Sequence, residues 1–404
     1  MVARRHVFFL AGYDPYDLRA QHARFKREAV KFEKTWGVSA EISGLGAASG
    51  EAGERWHMTT RGPNWVTSTI YEPLDWHDVV EADLVRPAIP RLFEGFVAFL
   101  DFVFSGTAFR YFRASWRYGL FFLMPFVNLL LFGAIGIAAG IWLACYAALG
   151  QAASAGIVLV VAVLIFSLLR FWPGRKWRID QALADWIFAR DFMYGRRADV
   201  EARLEGFAKR VVAAAQSKDA EEILIVGHSL GATMAVEVIA QALDRDAAFA
   251  EHGPAISLLT IGATIPKLAL HPAAKRLRGC MAQIAAEPKI FWTEYQARRD
   301  PISFYKYDPF ALRAFNENRA GHKPWVRLVG MKDMLSPESF NRHKLNHMRL
   351  HYQFVMANER RALYDYFMLL AGPAHFDEFS QRPLGALDVY GEDASYHAPA
   401  RVTA

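Results

Sequence analysis

The chain has 404 residues, 53% hydrophobic and 22% charged, with a net charge of +6 and a mean hydropathy of +0.06. That length fits one large domain carrying an insertion, and that apolar fraction excludes a disordered chain. Two cysteines exclude a disulfide scaffold, and no basic run is interleaved with a nucleic-acid module, so the positive balance points to an anionic membrane surface and away from DNA or RNA.

The first apolar run, His6 to Ala11, is too short for the core of a signal peptide and reads as a buried strand, which leaves the N-terminus in the cytoplasm. A polar helix over Pro15–Trp36 and strands over Val38–Ile42 and Trp65–Tyr71 follow. From Arg91 to Tyr118 the chain is rich in aromatic residues and Arg. Phe93, Phe96, Phe99 and Phe102 recur every third residue and would form one aromatic stripe on a helix suited to lipid headgroups. Residues 118–169 then run for 52 positions without Asp, Glu, Lys, Arg or His. A crossing takes ~20 apolar residues, so this stretch predicts two transmembrane helices. The spans are Leu120–Ala148 and Gly156–Phe171, turned at Gly150, Gln151 and Ser154. Arg110, Arg113 and Arg117 precede the pair, and Arg170, Arg175, Lys176 and Arg178 follow it. The positive-inside rule puts both flanks on the cytoplasmic side, in the inner membrane if the cell is bacterial.

Beyond the insertion, Ala198–Gln216 has apolar residues at helical spacing. Strands are expected at Ile223–Val226, Ile256–Ile261, Lys289–Tyr295 and Trp325–Val329, with a helix over Ala232–Leu243. Strands alternating with helices predict an α/β fold: a mostly parallel sheet with helices on both faces. From about Gly372 periodicity fades, and 372–404 reads as an irregular tail over the surface. The expected divisions are thus 1–90, the membrane insertion 91–178, 179–371 and the tail.

Residues 227–231 read Gly-His-Ser-Leu-Gly, between an apolar strand and a helix. That is the context a nucleophile elbow requires, because the serine must project from a sharp, strained turn. Gly227 and Gly231 remove side chains that would strike the neighbouring strand and helix. Ser229 is the candidate nucleophile, and the Leu230 amide at the following helix start is the candidate oxyanion donor.

With this elbow and element order, the chain resembles the α/β-hydrolase superfamily, and within it lipase- and esterase-like serine hydrolases, over roughly 1–90 and 198–370. The resemblance implies a second oxyanion donor in Leu10-Ala11-Gly12-Tyr13, the Tyr13 amide, although Ala11 stands where such loops often carry His. It implies an acid after a late strand, Asp300 before Pro301, with Asp308 and Asp333 as rivals and Arg298 and Arg299 nearby to keep it ionised. It implies a base after the last strand, His351, with His347 as the alternative and His343 behind it. On one continuous helix these three histidines would share a face, yet no HExxH or carboxylate accompanies them, so neither metal nor cofactor is expected. His228 is expected to point away from the chemistry. The implied activity is a membrane-anchored carboxylic ester hydrolase working through an acyl-enzyme on a lipid or other membrane-partitioned ester. An acyltransferase or thioesterase on the same triad, or an inactive membrane scaffold, are the alternatives.

Overall fold

The computed structural model describes residues 1–47, 54–147, 150–314 and 323–397. The chain divides into two compact units, Met1–Val80 with Gly195–Ala404, and Glu81–Tyr194. The second unit is wider than the limits 91 and 178 at both ends. Its last helix packs back on its first long one, and so extends the unit past the basic flank.

The first unit opens with β1 (Arg4–Leu10) and α1 (Leu18–Trp36). The helix starts at Leu18 and not at Pro15, because the Asp17 side chain accepts the Ala20 amide at 2.7 Å and so acts as N-cap. Then come β2 (Ser39–Ile42), β3 (Gly46–Ala47), β4 (Glu54–Gly62) and β5 (Trp65–Pro73), and the division from the second unit falls within α2 (His77–Leu84). β4 has no counterpart among the expected strands. Its exposed positions are polar, and only Trp56, Met58 and Thr60 turn inward, so its apolar content is low.

The second unit is helical. It comprises α3 (Ala88–Phe104), α4 (Thr107–Ala114), α5 (Trp116–Ala147), α6 (Gln151–Phe171), α7 (Pro173–Lys176) and α8 (Ile179–Met193). Among the described residues two helices are long and apolar enough to cross a membrane, Trp116–Ala147 and Gln151–Gly174. Both begin earlier than the spans read from the sequence, and Ala148 lies outside the described residues. The aromatic segment expected as one helix is two, α3 and α4, bent by 70°. Gly106, at φ 74, sits at the bend, where its missing Cβ permits the left-handed backbone.

The first unit resumes with α9 (Ala198–Ser217), β6 (Glu222–His228), α10 (Gly231–Arg245), β7 (Ala255–Ile261), α11 (Ile265–Ala269), α12 (Lys275–Ala286) and β8 (Ile290–Ala297). β9 (Tyr307–Asp308) and β10 (Arg313–Ala314) pair as a small ribbon before β11 (Trp325–Val329). Short helices finish the unit: α13 (Met331–Met334), α14 (Pro337–His343), α15 (His347–His351), α16 (Tyr366–Ala371), α17 (Phe376–Gln381) and α18 (Ala386–Val389). The sheet order is β11-β8-β7-β6-β1-β5-β4-β2, with β3 also on β4. It is parallel from β11 to β5 and antiparallel from β5 through β4 to β2.

Strand alternation sorts the core. Val7 and Phe9 of β1 and Leu224 and Val226 of β6 join Phe25 and Phe32 of α1 and Phe367 of α16 in one buried cluster. Phe8, Ile223 and Ile225 are buried on the other face, where α10 packs on β6, β1 and β7, and α9 and α12 pack on α10.

The C-terminal segment corrects the reading of a surface tail. Phe376, Phe379, Val389, Tyr390 and Tyr396 belong to the same cluster. Arg5, fully buried, donates to the Gly372 carbonyl at 2.8 Å, the Ala374 carbonyl at 2.6 Å and Glu222 Oε2 at 2.6 Å. The Phe376 amide donates to the other Glu222 oxygen at 2.8 Å, so this buried ion pair is satisfied largely by the last part of the chain. Residues 398–404 lie outside the described part.

Candidate active site

β6 ends at His228, and the next residue turns sharply before α10. Ser229 sits at φ 57, a left-handed backbone that a side chain tolerates only when its surroundings enforce it. The enforcement is visible. The Ser229 amide donates to the Ile261 carbonyl at 3.1 Å, and its carbonyl accepts the Ala232 and Thr264 amides, each at 3.2 Å. A Cβ on Gly227 would fall 2.4 Å from Ala232 Cα, and one on Gly231 would fall 2.2 Å from the Leu10 carbonyl oxygen. These two glycines are therefore what lets strand, turn and helix close around the serine.

The loop after β1 approaches from the other side. A Cβ on Gly12 would meet Ser229 Cβ at 2.8 Å, so only glycine lets the loop pass this close. Trp76 Nε1 donates to the Ala11 carbonyl at 3.0 Å, and Tyr13, buried, meets the Trp76 ring at 6.0 Å between centroids. Trp76 thus helps fix the loop that carries the Tyr13 amide. The Leu230 amide makes no hydrogen bond among the described residues and stands at the start of α10, where helix N–H groups point outward.

His351 ends α15 and is buried. Its Nδ1 lies 2.7 Å from Asp300 Oδ2. That carboxylate also accepts the Ser303 hydroxyl at 2.8 Å on Oδ2 and the Ile302 amide at 3.1 Å on Oδ1. These bonds hold the carboxylate, whereas the guanidinium of Arg299 lies over the Phe340 ring. His351 Nε2 is buried and has no hydrogen-bond partner among the described residues, Ser229 Oγ included. Catalytic hydrogen bonds of this kind often tighten only with substrate in place.

The rival residues lie apart from this pair. Asp308 accepts the Phe310 and Ala311 amides at 2.9 Å and shapes a turn. Asp333 is exposed on α13. His343 ends α14 while His347 begins α15, so the three histidines do not share one helix, and His347 is exposed. Among the described residues no group of His, Cys, Asp or Glu could hold a metal ion.

His228 does not stand idle as expected. Its ring lies 4.6 Å from that of His351, and its Nε2 donates to the His351 carbonyl at 3.2 Å. Burial, with the neighbouring His351 second, holds His228 well below the usual histidine pKa. A ring whose charged form is disfavoured therefore lies, tilted by 40°, against the candidate base.

Gly262 was not singled out from the sequence. It follows β7 at φ 51, and a Cβ there would meet Phe354 Cδ2 at 3.0 Å, His351 Cε1 at 3.2 Å and Asp300 Oδ2 at 3.3 Å. The loop it belongs to also holds Ser229 through Ile261 and Thr264. A glycine directly after a buried strand was the available signal.

A model of the alpha/beta hydrolase family matches residues 129–399, which include Ser229, Asp300 and His351. Neither a curated protein nor a solved structure matches the chain. The family match spans more than half of the sequence and agrees with the mostly parallel sheet, and the chain belongs to the alpha/beta hydrolase family.

Proposed function

We propose that the protein is a membrane-anchored serine hydrolase of carboxylic esters. The observation that carries this reading is the Asp300–His351 contact at 2.7 Å, with the far imidazole nitrogen buried and unpaired among the described residues, in a unit whose serine is held at φ 57 on a strand–turn–helix elbow. In the proposed cycle His351 Nε2 takes the Ser229 hydroxyl proton as Oγ attacks the ester carbonyl. Asp300 orients the ring and stabilises the imidazolium without taking the proton. The Leu230 and Tyr13 amides receive the oxyanion. His351 then protonates the leaving alcohol, and water, activated by the same base, releases the acid from Ser229. The substrate class is a lipid or other membrane-partitioned ester, supported by two helices long and apolar enough to cross a membrane in the same chain.

The test is labelling of the purified full chain with a fluorophosphonate, beside Ser229→Ala. Wild type should label and the variant should not. A folded wild type that stays unlabelled, or a variant that still labels, overturns the assignment of Ser229.

A further inference from the structure

The second unit carries an outer layer that spanning alone does not require. Its position follows from how α5 and α6 pack. A Cβ on Gly136 would fall 2.7 Å from the Ala162 carbonyl oxygen, and one on Gly140 would fall 2.8 Å from Val158 Cα. These contacts put Gly136 level with Ala162 and Gly140 level with Val158. Continuing the antiparallel pair at equal rise sets Arg170 level with Asn128. From there α5 runs back to Trp116, about 16 Å past Phe171, the end of α6, at 1.5 Å per residue. That is more than the headgroup region on one side of a bilayer needs.

This projecting part of α5 is clothed by α3, α4 and α8. Tyr111, Tyr118, Phe122 and Trp186 are buried together, with the Phe122 and Trp186 centroids 4.8 Å apart. Phe99 meets Phe126 at 4.4 Å, and Arg91 lies 3.4 Å from Asp180, which Arg170 also binds at 2.8 Å. The first half of α3 is therefore level with the end of α6. Its outward residues there are Ile89, Phe93 and Phe96, exposed by 82%, 68% and 55%. Large apolar side chains exposed at that level lose contact with water only by entering the lipid boundary.

The charge at the same level is compensated only in part: on α3, Glu94 pairs with Arg86 at 3.2 Å. Residues 102–179 contain neither Asp nor Glu. Asp180 is shared by two guanidiniums already. Arg113, Arg175 and Lys176 are exposed and pair with no acid among the described residues. Arg175 and Lys176 end α7, the short helix after α6, and Arg113 lies in the last turn of α4, whose Tyr111 ring packs 5.5 Å from Phe122.

Resting on the reading that α5 and α6 cross a membrane, we infer that this layer is a binding surface for anionic phospholipid headgroups. The occupant follows from level and charge together. Whatever meets Ile89 and Phe93 shares the layer that meets the α6 end, which is lipid, and an excess of cations over acids selects headgroups of net negative charge over zwitterionic ones. An acidic protein could match the charge but not the continuity with the two spans.

The full chain, captured by a tag from mixed micelles with equal phosphatidylglycerol and phosphatidylcholine, tests this by its retained lipid. Wild type should hold phosphatidylglycerol about fivefold over phosphatidylcholine, and raised salt should erode that ratio. Replacing Arg113, Arg175 and Lys176 together by Gln should bring it near one. Replacing Arg19, Lys26 and Arg27, exposed on α1, should leave it unchanged. A ratio near one in wild type, a ratio insensitive to salt, or equal loss in both triple variants overturns the inference. Resistance of the wild type to an alkaline carbonate wash of membranes reports the two spans separately, so failure of that reading is recognised on its own.

Discussion

Ser229 was legible because everything that marks it is local: two glycines, a strand before and a helix after. Asp300 and His351 were reached only through the order of residues in a resembling family, since 51 positions separate them. Gly262 offered only its place after a buried strand, and its part in the site was not legible, because that constraint comes from His351 and Phe354, far along the chain. The same contact gives a prediction. In Gly262→Ala the new methyl meets two groups of the candidate triad and a backbone at φ 51 that alanine resists. The variant should fold and should lose about tenfold or more in kcat against an activated ester, because small displacements of an oriented base are costly. Unchanged kcat would show that the loop yields without moving His351.

At the scale of elements, burial explains what pattern could not. β4 and the segment 372–397 both escaped a reading based on apolar runs. β4 is half polar because one side faces solvent, and the last segment packs by single residues, such as Tyr390 on Trp36 at 5.6 Å, with no repeat for periodicity to find. β8 carries a polar group of a different kind. Glu294 is fully buried, accepts Gln296 Nε2 at 2.6 Å and meets Thr260 Oγ1 at 3.1 Å. Burial pushes its carboxyl up to about 8. A carboxyl raised on folding contributes stability that is whole below its unfolded pKa and is lost as pH rises through about 8. Wild type should therefore show a thermal midpoint that falls between about pH 5 and pH 8 and levels off above that, and Glu294→Gln a flatter one over the same range, measured by circular dichroism. Parallel curves would mean that Glu294 is not the group responsible.

For the molecule as a whole, the division into two units has a thermal consequence. Each has its own core: one around the sheet, one of aromatic rings and close-packed α5 and α6. Units with separate cores unfold in separate steps unless an interface couples them. Gly140→Leu forces a side chain onto the backbone of Val158 and should lower only the transition of the helical unit in scanning calorimetry of the detergent-solubilised chain. A single transition that shifts as one would show the two to be coupled.

The place of β1 also sets an order of events during synthesis. This strand leaves the ribosome before the rest of its sheet, yet its neighbours there are β5, made before the helical unit, and β6, made after it. Its Arg5 waits longer still, for Gly372 and Ala374. The helical unit, by contrast, draws on contacts within one continuous stretch and closes as soon as that stretch emerges. Translation thus delivers a finished helical unit while the hydrolase unit is still open on both sides of it, and a pause or truncation late in the message would leave the Ser229 unit unfinished.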